Sequence, residues 1–125
     1  MEEQKELNKV IGTIEPEKKD ALEPKRVQIV KINLRDTKKG KILSCECIHP
    51  DRDEAIHISS VAYLRDKQVV NSGLWWTLDK DENIQKGSAL ATFLSKVGIK
   101  STTELAGREV ETELDEEKWL CFKAY

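Results

Sequence analysis

The sequence predicts a mainly β domain in which five to six strands curl into a barrel and one helix precedes the last two strands. Between residues 26 and 79, short runs rich in β-branched residues alternate with polar turns, which is the pattern of successive strands. Between residues 86 and 98 the apolar spacing changes to the helical period, and afterwards it returns to alternation. The length of 125 residues suits one domain of this kind.

The first strand, RVQIVKINLR, contains a change of phase. Val27 and Ile29 lie on one face of an ideal strand, whereas Val30, Ile32 and Leu34 lie on the other. A switch of the apolar face within one strand predicts a β-bulge, where a curled strand passes from one side of a barrel to another. The turn DTKKGK then leads into the second strand.

The middle of the chain predicts three further strands. The first of them, KILSCECIH, is expected to be half-buried because Leu43, Cys45 and Cys47 alternate with polar residues. A short strand, AIHIS, follows the turn PDRDE, and residues 60–67 remain open between strand and turn. The segment QVVNSGLWWTL predicts the next strand, in which Gly73 is a candidate bulge position.

Two adjacent tryptophans lie near the end of that segment, and the chain has three tryptophans in all. Trp76 shares its phase with the leucines two residues before and after it, so we expect it to fill the core. Trp75 then faces outward between Gly73 and Thr77. Because these neighbours are small, the sequence predicts that one face of the Trp75 ring is open to a ligand.

The stretch KGSALATFLSKVG predicts the helix. Ser88 suits its N-cap, and Gly98 suits its C-terminal end. Ser101 and Glu104 have the spacing of a capping box, and Gly107 ends the short helical turn that they predict. The apolar face of the main helix consists of Ala89, Leu90, Phe93, Leu94 and Val97.

The chain closes with two strands, REVETEL and WLCFKAY, joined by the turn DEEK. Alternation places Glu109, Glu111 and Glu113 together on the solvent face of the first strand. Charged side chains there would discourage pairing with another strand edge. The predicted order is therefore a group of strands, one helix, a Leu-x-Gly turn that ends at Gly107, and a hairpin.

This order resembles the OB-fold, a small barrel of five strands with a helix between the third and fourth. The resemblance covers residues 26–125, and its most informative part is KGSALATFLSKVGIKSTTELAGREVETELDEEKWLCFK. That part is similar to the C-terminal half of small archaeal and phage single-strand-binding-like proteins. Residues 51–78 depart from the pattern, because they contain one strand more than the minimal barrel needs. The resemblance implies a ligand path across the second and third strands and the first and last hairpin loops.

Residues 1–25 are expected to form a mobile tail and residues 26–125 the folded domain. The tail is rich in charge, poor in apolar residues, and contains Pro16 and Pro24. An apolar stripe with helical spacing supports an alternative, in which this segment docks on a partner protein as a helix. The stripe consists of Leu7, Val10, Ile11 and Ile14.

Composition favours a cytoplasmic protein without membrane association. The N-terminus is too acidic and polar for a signal peptide, no apolar run reaches the length of a membrane span, and three cysteines suit a reducing compartment. The net charge of −2 conceals an asymmetry. Residues 26–41 hold six basic side chains and one acid, whereas residues 99–118 hold three basic and seven acidic side chains. The local charge therefore decides which partners a given surface attracts.

The sequence predicts neither a metal site nor a catalytic one. Cys45, Cys47 and His49 suggest zinc, but alternate residues of a strand lie ~6.6 Å apart and lack the tight knuckle that brings two sulfurs onto one ion. We expect buried apolar cysteines instead. Residues 79–83 begin like a calcium loop, yet its sixth and twelfth positions lack the required Gly and Glu. With no nucleotide-binding or nucleophile motif, the chain is predicted not to be an enzyme and to need no cofactor.

The leading hypothesis is binding of single-stranded nucleic acid with little sequence specificity. A basic first hairpin loop would contact phosphates, and Trp75 would stack on a base. The proposed phosphate contacts are Arg35, Lys38, Lys39 and Lys41, with Arg65 and Lys67 as outer cations. The alternative is a protein-interaction module, or a small subunit of a larger assembly, that docks through its N-terminal stripe or an exposed strand edge. The choice between DNA and RNA and the oligomeric state stay open.

Overall fold

A computed structural model describes residues 22–125, and these residues are mainly β, as predicted, with a strongly curled sheet and one α-helix that precedes the closing strands β6, β7 and β8. The helix α1 spans Ala89–Val97, and a 3-10 helix spans Thr102–Leu105. The strands are β1 Val27–Thr37, β2 Gly40–Ile48, β3 Ile56–Ile58, β4 Ser60–Arg65, β5 Gln68–Gly73, β6 Glu109–Val110, β7 Thr112–Leu114 and β8 Leu120–Ala124.

These strands form two four-stranded sheets, in the orders β3-β2-β1-β6 and β5-β4-β8-β7. Every pair is antiparallel except β4 and β8, which run parallel. Only Ser59 separates β3 from β4, and only Glu111 separates β6 from β7. The chain therefore passes directly from one sheet into the other at two places, and the apolar core lies between them.

The predicted bulge in β1 is confirmed. The register of β1 against β2 shifts between Ile29 and Lys31. Before the shift, Ile29 is fully buried and exchanges backbone hydrogen bonds with the chain that follows the 3-10 helix. After it, Ile32 lies opposite Cys45 and Leu34 lies opposite Leu43. The bulge thus keeps the half-buried Ile32 on the side of the buried Cys45, whereas Leu34, nearer the β1–β2 hairpin, is 45% exposed.

Both helix ends agree with their sequence signals. The Ser88 hydroxyl accepts the Ala91 N–H at 3.1 Å, and Gly98 ends α1 with φ of 92°, a left-handed conformation that favours glycine. The 3-10 helix begins with the predicted capping box of Ser101 and Glu104. These local signals fix where the helical segment begins and ends, independently of the sheet it packs on.

The contact between α1 and the sheet centres on two phenylalanines. Phe93 of α1 and Phe122 of β8 are both fully buried, and their rings stack with centroids 4.7 Å apart. Leu90 and Leu94 of the same helix face are also buried. The apolar stripe predicted from the sequence is therefore the face that α1 presents to the core.

Residues 22–25, part of the predicted tail, lie against the domain. The buried His49 accepts the Asp51 N–H at Nδ1 (3.0 Å), so its proton is on Nε2, which donates to the Glu23 carbonyl at 2.7 Å. The Thr112 hydroxyl donates to the Lys25 carbonyl at 2.6 Å. These bonds join the segment before β1 to the β2–β3 loop and to β7. Residues 1–21, with the apolar stripe, lie outside the described residues.

The predicted strand QVVNSGLWWTL ends earlier than the sequence indicated. β5 stops at Gly73, because the Leu74 N–H bonds the Ser59 carbonyl and the chain turns toward β2. The residues after Trp76 form a separate small hairpin with Leu78 opposite Ile84. Residues 60–67, which the sequence left open, form β4 and the start of the turn into β5.

Replacing Phe93 with alanine should lower the free energy of unfolding by about 3–5 kcal/mol, because it removes a fully buried ring that stacks on Phe122. Urea denaturation followed by circular dichroism measures the change. Ile48→Ala is the control, since Ile48 is 47% exposed and its truncation should stay within about 0.5 kcal/mol. Equal effects of the two substitutions would contradict this account of the core.

Candidate nucleic-acid interface

Backbone pairing sets the direction of the two adjacent tryptophans. The Leu43 N–H bonds the Leu74 carbonyl, and the Trp76 N–H bonds the Lys41 carbonyl, both at 2.8 Å. Trp75 lies between them and pairs with Ile42 in an antiparallel bridge. Because successive side chains alternate, Leu74 is fully buried and Trp75 shares the opposite face with Ile42.

Trp75 belongs to an outward-facing row that crosses three neighbouring segments. Arg35 on β1 lies opposite Ile42 on β2, and Ile42 lies opposite Trp75. Arg35 is exposed, and Trp75 is half-buried rather than fully open. The structure therefore brings together a guanidinium and an indole with one aliphatic side chain between them.

Gly73 determines how the Trp75 ring lies. A Cβ atom at Gly73 would stand 3.0 Å from Nε1 of Trp75 and 2.9 Å from Cδ1 of Ile42. The indole edge therefore rests against the glycine backbone, in space that any side chain would occupy. The small residue at position 73 lets the ring pack down on the sheet, and this contact explains why Trp75 is half-buried although it faces outward.

The other predicted cations divide into two groups. Lys38 and Lys39 occupy the exposed turn between β1 and β2, which the Thr37 hydroxyl organises by accepting the Lys39 N–H at 3.1 Å. Lys41 lies opposite Asp36, and alternation puts this pair on the other face of the ribbon from Arg35. The turn lysines thus lie at the end of the ribbon, a few residues beyond Arg35, whereas Lys41 does not lie on the face of Arg35.

Arg65 and Lys67 lie at the far end of the β4–β5 hairpin. Arg65 ends β4, and Lys67 is in the turn. The length of β5 separates Lys67 from Gly73, ~20 Å at the rise of a strand. The structure does not bring these two cations to the row that contains Trp75.

Trp119 is a second aromatic candidate, which the sequence reasoning missed. It is 54% exposed, the largest exposure among the large apolar residues from 22 to 125. It lines a cleft of about 270 Å³ together with Arg52, Ile56 and His57. His57 lies opposite Glu46, four residues along β2 from Ile42, or ~13 Å from the row of Trp75. The sequence offered one signal of its exposure. Trp119 and Phe122 are three residues apart in the predicted last strand, so they lie on opposite faces, and the face of Phe122 is buried.

An acidic turn holds Trp119 in place. The Asp115 carboxylate accepts the N–H groups of Glu117 and Trp119, each at 2.9 Å, and the Asp115 N–H bonds the Trp119 carbonyl at 2.8 Å. Trp119 is thus presented by an ordered turn that also carries Glu116 and Glu117. Negative charge beside the indole opposes phosphate binding at this end of the surface.

Trp76 points the other way and packs against the core from the helix side. It is half-buried and forms part of a cleft of about 810 Å³ between α1 and the residues that follow β5. Leu94 and Ile99 form the buried floor of this cleft. The two neighbouring tryptophans therefore belong to different surfaces of the molecule, as alternation predicts.

The three cysteines are buried, and the His49 ring is held by hydrogen bonds to the backbone. Cys45, Cys47 and Cys121 are buried, and burial raises the pKa of each thiol to about 12. Both ring nitrogens of His49 are engaged in hydrogen bonds to the backbone. Within residues 22–125, no group of three or more His, Cys, Asp or Glu side chains is arranged to hold a metal ion.

No family model matches this sequence, and no curated protein or solved structure is similar enough to count as a match. In the part of the chain that the structure describes, no helix has the length and apolar character needed to cross a bilayer. The geometry of the described residues is therefore the basis on which a function is proposed.

The native thiols should resist alkylation. A pKa of about 12 against an ordinary value of 9.0 lowers the thiolate fraction at pH 8 by roughly a thousandfold. Iodoacetamide, followed by mass spectrometry, should modify the urea-unfolded chain rapidly and the native chain hardly at all. Since the fold favours the protonated thiols, their contribution to stability is complete below pH 9 and falls as the pH rises toward 12. Rapid labelling of any native cysteine would be inconsistent with this burial.

Proposed function

We propose that the chain is a non-enzymatic OB-type barrel that binds single-stranded nucleic acid with little sequence specificity. The order of strand pairing supports the barrel. β1 pairs with β2, β2 with β3, and the chain continues through Ser59 into β4. β4 pairs with β8, β8 with β7, and the chain continues through Glu111 into β6, which pairs with β1. If β6 and β7, which only Glu111 separates, count as one strand, the helix precedes the last two strands of this ring, as in the OB-fold, and β5 is the additional strand.

The observation that carries the proposed function is the outward row of Arg35, Ile42 and Trp75 beside the lysine turn. A half-exposed indole presents a flat apolar surface on which a base of any identity can stack, for ~1–3 kcal/mol. Arg35 on the same face, with Lys38 and Lys39 at the turn, supplies cations for the backbone of the same strand. Stacking and charge together favour single strands, whose bases are available to the ring.

The cleft of Trp119 extends the proposed path. His57 and Arg52 lie beside Trp119, and His57 is on the strand next to β2. A single strand that runs along β2 from Trp75 would reach this cleft after ~13 Å. Because Asp115, Glu116 and Glu117 belong to the turn that leads into Trp119, we expect stacking rather than phosphate contact at this position.

The second candidate function is the protein-interaction module. One observation favours it: β5 has an edge that no strand within residues 22–125 covers. An uncovered edge can accept a strand from another chain. Docking on single strands and docking through β5 use different surfaces, so one protein can do both.

Trp75→Ala should weaken binding of a mixed-sequence, fluorescein-labelled single strand by roughly 5- to 150-fold at low salt, the equivalent of one lost stacking contact of ~1–3 kcal/mol. Fluorescence anisotropy measures this. Leu64→Ala is the matched control, because Leu64 is 52% exposed and lies on the β4–β5 hairpin. An unchanged affinity for Trp75→Ala, or the absence of binding by the wild type at low salt, would refute the proposed function.

Replacing Lys38 and Lys39 together with alanine should reduce the slope of log K against log salt by ~1.4, since each phosphate contact with a single strand contributes about 0.7. The matched double variant, Arg65→Ala with Lys67→Ala, removes the same charge from the far hairpin and should leave the slope unchanged. Equal reductions would mean that net charge alone, and not the row beside Trp75, determines binding.

A further inference from the structure

Two of the longer strands, β1 and β5, each have an edge that no strand in residues 22–125 pairs with. The free part of β1 lies beyond its bulge, because β6 pairs only with Val27 and Gln28. β5 pairs with β4 along its whole length, and no strand in the described part of the chain pairs with its other side. Natural proteins protect such edges with charged side chains, prolines or bulges, since a bare edge recruits another strand.

The two edges are protected differently. β1 has a bulge and carries Lys31, Arg35 and Asp36 beyond it. β5 reads QVVNSG, with no charged residue, no proline and no shift of register against β4. The surface beside it is apolar: Leu64 and Val69 are a cross-strand pair and are 52% and 46% exposed. β5 is therefore the edge that the sequence leaves unprotected.

The turn at the start of β5 determines which backbone groups are free. Asp66 and Lys67 have φ of 53° and 69°, the left-handed conformation of a type I′ two-residue hairpin. In such a hairpin Arg65 and Gln68 form the first hydrogen-bonded pair, and hydrogen-bonded pairs then alternate with non-hydrogen-bonded ones. The N–H and C=O groups of Gln68, Val70 and Ser72 therefore point toward β4, and those of Val69 and Asn71 point toward solvent.

We propose that β5 pairs with β5 of a second copy of this chain, antiparallel and around a two-fold axis that passes through Val70. In this register Val69 of each copy lies opposite Asn71 of the other copy. Each of these two pairs exchanges two backbone hydrogen bonds, so the solvent-facing N–H and C=O groups form four hydrogen bonds in all. Val70 faces its own symmetry mate. The two copies then share one eight-stranded sheet, in the order β7-β8-β4-β5 followed by its mirror sequence from the partner.

A second copy of the chain fits the β5 edge because this edge carries no charged side chain that would repel its equivalent in the other copy. Two-fold symmetry brings each side chain near its own equivalent, so a charged edge opposes its own copy. Pairing through β1 would bring the Lys31 and Arg35 cations of both chains together, whereas β5 brings together valine, asparagine and serine. This proposal is independent of nucleic-acid binding, which uses the face of Arg35 and Trp75.

A disulfide tests the register. Residues opposite each other in a non-hydrogen-bonded pair have Cβ atoms about 4.5–5.5 Å apart, close to the separation that a disulfide bridges. Val70→Cys should therefore cross-link into a covalent dimer under mild oxidation of the full chain. Ser72→Cys is the matched control, because it lies in the same phase but opposite Gln68 of the partner. The native thiols do not compete, since all three are buried.

Charge substitution tests the interface without cross-linking. Val69→Lys with Asn71→Lys places lysine opposite lysine twice and should raise the dimer dissociation constant about tenfold or more. Val69→Lys with Asn71→Glu places lysine opposite glutamate at the same positions and should restore the dimer. Sedimentation equilibrium measures the dissociation constant of both variants. Val69 and Asn71 are exposed, and both variants lose the same contact of 3.6 Å from Asn71 Nδ2 to Cys121 Sγ, so a difference between them reports on the interface. A wild type that remains monomeric at the highest soluble concentration, or two variants that dissociate alike, would overturn the proposal.

Discussion

The backbone pairing of residues 74–76 with the start of β2 is the interaction on which the rest of the structure depends. Two hydrogen bonds of 2.8 Å, from Leu43 to Leu74 and from Trp76 to Lys41, carry the chain from the β4–β5 hairpin toward α1. Because side chains alternate, this register sends Leu74 into the core and Trp75 outward beside Ile42. A slip of one residue would exchange the two faces, so the core and the proposed binding surface are specified by the same bonds.

Gly73 makes that pairing possible. The sequence indicated a bulge there, since a glycine inside a strand often marks one, but close approach of neighbouring groups is the other reason for such a glycine. The structure has the second: a Cβ would lie 2.9 Å from the Ile42 side chain and 3.0 Å from the Trp75 indole. Alternation alone gave the direction of Trp75 correctly. It could not give the half-burial of the ring, because that depends on which residue the folded chain places beneath it.

Features encoded within a few residues were the ones that the sequence predicted well. The bulge in β1, the Ser88 cap, the Gly98 stop and the capping box at Ser101 each depend on neighbouring positions. The parallel pairing of β4 with β8 joins segments that are ~60 residues apart, and no local pattern reports it. The sequence did not predict the cleft of Trp119 for the same reason, because the cleft combines the last hairpin turn with β3 and the β2–β3 loop.

The contrast between the two free edges connects the proposed functions. In the proposed functions, cations on β1 and its turn would attract a polyanion and at the same time oppose pairing of β1 with its own copy. An edge suited to strand pairing must instead lack charge, and β5 does. One edge cannot serve both purposes, because the charge that favours phosphate opposes a symmetric sheet. A small domain with both proposed functions would therefore need a second edge, and the additional strand β5 offers one.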